Sequence, residues 1–371
     1  MTELYIGLMS GTSLDGIDGV LVDFDAQPLR VVAHVHRPFE PALAHELLAL
    51  NAPGEGELHR AALAGNALAR SYAEVVDALL AMSGTPRERV CAIGAHGQTV
   101  RHRPREFDGA GYTLQLNNAA LLAELCAIDV IADLRSRDVA AGGQGAPLVP
   151  AFHRAVFGRV GEAGAVLNIG GISNLTALRA DGSTIGFDCG PGNALMDHWC
   201  LEHAGKRYDD GGAWAASGAV AAPLLAQMLA EPYFALPPPK STGRDLFNPH
   251  WLRSQLARCP PLPCPADVQA TLAELTAAAC AADVLAHAVG VHELLVCGGG
   301  AFNAHLMQRL AARLPGIDVL PTDARGLPAD QVEACAFAWL ARAFTRREPA
   351  NLPSVTGAAG PRILGALYPA A

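Results

Sequence analysis

No run of lysine or arginine occurs anywhere in this 371-residue chain, whose 27 basic and 36 acidic side chains leave a formal net charge of −9. That balance argues against a phosphate-backbone binder such as a DNA-binding protein. There is also no C-x-x-C. The nine cysteines are odd in number and scattered, and Cys259 and Cys264, the nearest approach to a pair, have no matching Cys or His pair at zinc-finger spacing. Reduced, mostly structural cysteines in a cytoplasmic protein are therefore expected. The opening "MTELYIG" carries an acidic residue where an export signal needs basic ones, and no stretch of 18 uncharged apolar residues exists. Neither export nor a membrane span is expected. Two nucleotide motifs are missing as well: G-x-x-x-x-G-K-[ST], which excludes a Walker-type site, and G-x-G-x-x-G, which argues against a dinucleotide fold.

What is present is a well-packed chain, 51% hydrophobic and 17% charged, with 38 glycines and 26 prolines that imply many tight turns. Its length suggests two domains, or two lobes around a cleft. "LYIGLM", "GIDGVLVDF" and "RVVAHVHRPF" read as three strands, followed by a long helix from about Gly56 to Met82 with apolar residues every three or four positions. Strands "VCAIGAH" and "YTLQL", a helix "NAALLAELC" and a strand "IDVIADL" come next. After the glycine-rich "AAGGQGAPLVP" the pattern restarts: "GAVLNIGG", "SNLTALRA" and "STIGFDCG" are strands, and a helix runs from about Asn193 to His203. Three hairpin-connected strands followed by alternating helices and strands thus occur twice. The proline-flanked stretch from Leu236 to Pro265 reads as a surface excursion.

In both copies the first hairpin turn is rich in glycine and serine, "MSGTSLDG" and "NIGGISN". An ordinary hairpin is one reading of the first turn. The other is a phosphate-holding turn, in which Gly11 lets the backbone approach an anion, Ser10, Thr12 and Ser13 donate hydrogen bonds, and Asp15 or Asp18 faces a cation. "LLVCGGGAFN" is a third such turn, an apolar strand ending in Gly298, Gly299 and Gly300 before a helix start at Asn303. The C-terminal end of a strand is where α/β folds place ligands.

Three glycine-rich turns spread over both halves resemble the actin and sugar-kinase superfamily. The ordered set "MSGTSLDGID", "GAHGQTVRHRP", "ADLRSRDVAAGGQGAPLVP", "NIGGISN", "GFDCGPGNALMD" and "CGGGAFN" resembles the motifs of the 1,6-anhydro-N-acetylmuramic acid kinases, from about residue 5 to residue 360. One departure stands after "TLQL", where the family pattern has a glycine and this chain has Asn117. That leaves the local turn and any ligand contact there open.

The resemblance implies an α/β chain of the two-lobed actin/sugar-kinase (ribonuclease H-like) fold, with a duplicated mixed-sheet core and a cleft between lobes. Lobe I would span 1–134, with 352–371 returning to it, and lobe II 135–351. It also implies a reaction: ATP and an anhydro sugar bind, water adds at C1, the internal ether opens, and the freed O6 is phosphorylated. Two rivals remain, a non-catalytic sugar sensor of the same fold and a kinase for an ordinary amino sugar. A repressor of this fold is disfavoured because the first strand begins at once.

Residue roles follow by the same resemblance. Asp188 in "GFDCGPGN" would be the base that takes the proton of the attacking water, a role against which stands an ordinary turn aspartate. ATP contacts would come from Gly11, Thr12, Ser13, Leu14, Asp15, Gly16, Ile17 and Asp18, from Gly170 and Gly171, and from Gly298, Gly299, Gly300 and Asn303. Mg²⁺ would be held largely by water and phosphate, with Asp15 or Asp18 in its outer shell. The sugar pocket would draw on His96, Gln98, Arg135, Asp138 and Glu333. Arg135 can grip a carboxylate with two parallel bonds; its alternative is a salt bridge to Asp138. Glu333 otherwise reads as a solvated helix position, and His34, His36 and His102 receive no role. A homodimer is implied, binding small molecules and neither membrane nor nucleic acid.

Overall fold

The apolar runs near the start of the chain form the strands expected of them. In a computed structural model, which describes residues 3–11, 13–243 and 245–370, β1 (Leu4–Met9), β2 (Gly16–Asp23) and β3 (Arg30–Pro38) are followed by β4 (Val90–Ala95). Next come β5 (Gln98–Pro104), β6 (Gly111–Leu116) and β7 (Val130–Ala132). The second half supplies β8 (Gly164–Ile169), β9 (Ile172–Leu178), β10 (Thr184–Pro191), β11 (Glu293–Cys297) and β12 (Asp318–Pro321). A last strand, β13 (Ala366–Tyr368), pairs with β7.

The repeat seen in the sequence is a repeat of topology. One sheet runs β13-β7-β4-β1-β2-β3 and another β10-β9-β8-β11-β12. In the first, β2 is antiparallel to both β1 and β3, while β4 lies parallel to β1 and β7 parallel to β4. The second repeats each of those relations with β8, β9, β10, β11 and β12. Two sheets with one strand order and one set of senses are the duplicated core of the actin/sugar-kinase fold. Each sheet belongs to its own compact unit: Met1–Val156 with Gln331–Ala371, and Phe157–Asp330.

Those bounds differ from the division expected at 135 and 352. The physical reason is a close contact between a helix and two strands. In the helix Val332–Thr345 the small residues Ala334, Ala338 and Ala341 are buried, and they let its backbone settle on β1 and β4. A Cβ on Gly7 would overlap the Ala334 carbonyl oxygen, and one on Gly94 would overlap that of Phe337. Glycine in a strand commonly marks such an approach. The opposite face of the sheet is covered by the helix Glu57–Ser83, through Tyr72, Val75, Val76 and Leu79. Strands sandwiched this way are apolar along their whole length.

Two other expectations are corrected. Between the expected strands "VCAIGAH" and "YTLQL" lies a further one that the sequence reading did not include, β5, which pairs with β6. Residues 236–265 are not a mere surface excursion, because Phe247, Trp251, Leu252 and Leu256 enter the core of the second unit. Among the described residues the helix Pro265–His287 is long and apolar enough to cross a membrane, yet 89% of its apolar window is buried within the fold. It is a core helix.

Gly94→Ala should lower the unfolding free energy by about 3 kcal/mol, the upper part of the usual range for forcing volume into a packed site. Urea unfolding of the two proteins side by side checks this.

Candidate functional site

In the first unit the candidate groups gather where β1 and β4 end. Just beyond their last residues stand Ser10 and His96, and the His96 N–H donates to the Leu8 carbonyl at 3.0 Å. The His96 ring is buried beside Phe337, with centroids 4.7 Å apart. Its Nε2 lies 2.9 Å from Arg135 Nη2, and its Nδ1 lies 3.1 Å from the Ser10 carbonyl oxygen. A guanidinium only donates, so Nε2 accepts and the ring proton sits on Nδ1. Burial, reinforced by the Arg135 charge, pushes the His96 pKa from 6.5 down to about 3. The ring is neutral.

Arg135 also donates from Nη1 to the Gly145 carbonyl at 2.8 Å. Burial lowers its pKa to about 10, against the support of Glu333 and Asp138, so it stays charged at neutral pH. Glu333 lies in the first turn of its helix, half-buried rather than freely solvated. Burial raises its pKa, Arg135 opposes the rise, and Asp18 and Asp15 reinforce it. Gln98 donates from Nε2 to the Gly11 carbonyl at 3.0 Å, while its Oε1 is buried without a hydrogen-bond partner among the described residues. A buried acceptor in that state can accept from a bound molecule.

Asp138 is held by partners other than Arg135. It forms no ion pair with Arg135; Oδ2 accepts from the Gly145 N–H at 2.7 Å, and Oδ1 from Asn351 Nδ2 at 2.7 Å and Thr356 Oγ1 at 2.8 Å. Fully buried, it fixes the loop whose Gly145 carbonyl holds Arg135. In the opening turn the Leu14 N–H donates to the Gly11 carbonyl at 3.2 Å, and Ser13 Oγ donates to Asp15 Oδ1 at 2.7 Å. Thr12 lies outside the described residues. Gly16 packs against the β3 backbone at Arg37 and Ile17 points into the core, so both belong to the sheet. Asp18 Oδ1 lies 3.0 Å from His36 Nδ1 and 3.3 Å from His34 Nε2, which gives those two histidines a partner that the sequence did not reveal.

In the second unit the β8–β9 turn is clasped by the segment after β10. The Asn193 N–H donates to the Gly170 carbonyl at 2.8 Å, and the Gly192 N–H to that of Gly171 at 3.0 Å. A Cβ at Gly170 or Gly171 would make only ordinary contacts, at 3.6 and 3.7 Å. Gly298, at φ 79°, begins the third turn, through Gly299 and Gly300, and Asn303 Oδ1 caps the helix Ala304–Arg313 by accepting from the Leu306 N–H at 3.0 Å. Asp188 sits on β10 beside a bulge that re-aims the strand. Its Oδ2 accepts from Ser241 Oγ at 2.9 Å and from the Thr242 N–H at 3.0 Å. Burial raises its pKa, opposed by Thr242, Ser241 and the Lys240 charge.

A family model described as anhydro-N-acetylmuramic acid kinase matches residues 3–370. The chain belongs to that family. A relative of the same description from Variovorax paradoxus (strain S110) is 64% identical over 374 residues, covering 99% of both chains. Others from Albidiferax ferrireducens (strain ATCC BAA-621 / DSM 15236 / T118) and Cupriavidus pinatubonensis (strain JMP 134 / LMG 1197) are each 60% identical. They cover 100% of both chains, and 99% and 98%, respectively.

Within this anhydro-N-acetylmuramic acid kinase family chain, sequence reasoning missed Lys240, Ser241 and Thr242. Their signal was a lysine and two hydroxyl residues directly after "LPPP". It also missed Tyr72, whose hydroxyl oxygen accepts from the Gly97 N–H at 3.1 Å and lies 2.9 Å from Ser10 Oγ.

His96 protonates in the unfolded chain near 6.5 and in the folded one only near 3. Between those values the unfolded state binds more protons, so the His96 contribution is full above about 6.5 and is lost as pH falls toward 3. Denaturant unfolding from pH 3 to 7 should therefore show a shallower rise of stability with pH in His96→Gln than in the wild type.

Proposed function

We propose that this chain is an ATP-dependent kinase that opens 1,6-anhydro-N-acetylmuramic acid with water and phosphorylates O6. The products are N-acetylmuramic acid 6-phosphate and ADP, in peptidoglycan recycling. The observation that carries the reading is Asp188: half-buried, held through Oδ2 by two donors, and with no hydrogen bond to Oδ1 among the described residues. A carboxylate oxygen left free in this way suits a base for a weak nucleophile.

Asp188 takes a proton from water as the water oxygen bonds to C1. The C1–O6 bond breaks, O6 keeps the electron pair and bonds to the γ-phosphorus, and the bond from phosphorus to ADP breaks. Arg135 and Glu333 serve the sugar, with Arg135 facing its lactyl carboxylate and the Gln98 Oε1 accepting from a sugar hydroxyl or amide. Asp138 acts through the loop it fixes. Donors from the opening turn and from Gly170 and Gly171 serve the phosphates, and Gly298, Gly299, Gly300 and Asn303 the adenosine. Mg²⁺ would neutralise charge on the γ-phosphate. Asp15 fits its outer shell, with no hydrogen bond to Oδ2 among the described residues, whereas Asp18 is engaged by two imidazoles. Among the described residues no cluster of three or more His, Cys, Asp or Glu could hold a metal, which suits a cation carried by water and phosphate. Nine free cysteines suit a reducing compartment such as the cytoplasm, and the family resemblance carries the expectation of a homodimer.

Asp188→Asn should retain ATP binding while kcat falls by on the order of 10²–10⁴. Because burial raises the Asp188 pKa, wild-type activity should fall on the acid side above the ordinary carboxylate range. In ¹⁸O-labelled water the label should appear at C1 and not at O6; label at O6 overturns the proposed attack.

A Cβ at Gly11 meets nothing closer than Ser13 Oγ at 3.4 Å. Gly11→Val should therefore leave the melting temperature near that of the wild type and abolish ATP binding by calorimetry. Unchanged affinity would return the turn to an ordinary hairpin.

A further inference from the structure

Lys240 is a buried cation beside the proposed base. Its side chain is 2% exposed, Nζ lies 3.2 Å from Asp283 Oδ1, and it sits over the rings of Phe187 and Tyr233 at 5.5 and 5.3 Å. Both rings flank Asp188. Phe187 precedes it in β10, and the Tyr233 hydroxyl donates to the Asp188 carbonyl at 2.7 Å. The Lys240 carbonyl accepts from the Asp188 N–H at 3.1 Å, and the next two residues provide both donors to its carboxylate. Among the described residues of 236–248 there is no helix or strand. A buried ammonium anchored in the core is what such a segment needs to stay in place, since moving it would strand Asp283 without its charge partner.

We propose that the Lys240–Asp283 pair is a positioning device for Asp188. It pins the Ser241–Thr242 clamp onto one carboxylate oxygen and adds a nearby positive charge, so that the other oxygen is ionised and aimed at water. This rests on Asp188 being the base. The other titratable groups around the carboxyl are Tyr233, Cys189 and His287, the last edge-on to Phe187 at 5.0 Å and 4.0 Å from Asp283. Burial holds Tyr233 and Cys189 in their neutral forms, and Lys240 is the charge that opposes the rise at Asp188.

Replacing the pair together, Lys240→Met with Asp283→Asn, leaves no unpaired buried charge. In the full-length protein, ¹³C NMR should show the Asp188 carboxyl titrating higher by about 1 unit, the lower end for loss of an adjacent opposite charge. The acid limb of kcat/KM against pH should move up by the same amount, with the KM for ATP unchanged, and Lys240→Arg should restore both. An unmoved Asp188 titration overturns the device, as does activity lost equally at every pH. A moved titration beside an unmoved acid limb leaves the device intact and overturns Asp188 as the base. Should the double variant fail to fold, Asp283→Asn alone removes the anchor of Lys240 and leaves the lysine in place; an Asp188 titration and an acid limb both unmoved in that variant overturn the device.

Discussion

A carboxyl group taken out of water favours its neutral form, and the proposed reaction requires one, Asp188, to ionise where it is half-buried. At Asp188 the opposing forces are two hydrogen bonds to a single oxygen and a lysine charge behind the strand. Much of the second unit answers to that constraint. β10 bulges there, Tyr233 fixes the backbone carbonyl, and residues 240–242 bond to the Asp188 backbone and carboxylate. The first unit meets the inverse problem with Arg135, a cation half-buried near carboxylates. It solves it with a neutral imidazole as acceptor and a carbonyl fixed by the Asp138 loop.

Much of the fold could be read from the chain because its signals are local. Apolar alternation, glycine–serine turns and helix periodicity each act within a few residues, so the strands of both copies and the hairpin turns appear near where they were expected. What could not be read depends on partners far apart in sequence. Asp138 is satisfied by Asn351 and Thr356, more than 200 positions away. Nothing near Asp138 announces them. The proline-rich segment was misjudged for a related reason: its composition resembles a loop, and only its distant packing partners make Phe247 and Trp251 core residues.

The site was legible to a similar depth. Glycines and an aspartate at strand ends are conspicuous, so Asp188, His96 and Arg135 stood out, and the family motifs gave them expected roles. Lys240 did not stand out, because a lone lysine ordinarily belongs at the surface. Nor did Gln98 show that it lies on a strand, since the polar and basic residues of β5 lack the apolar alternation by which a strand is recognised.

The first unit is built from two separated stretches, and the helix that covers Gly7 and Gly94 comes from the later one. During synthesis the first sheet therefore emerges without that helix and waits while residues 157–330 are made. At roughly 5–20 residues per second that delay is on the order of ten seconds or more. The inserted unit can complete its fold within this interval, whereas the N-terminal sheet keeps an apolar face open to water. Translation order thus makes the N-terminal sheet dependent on residues 331–371, and leaves it the part most exposed to chaperones until they are made.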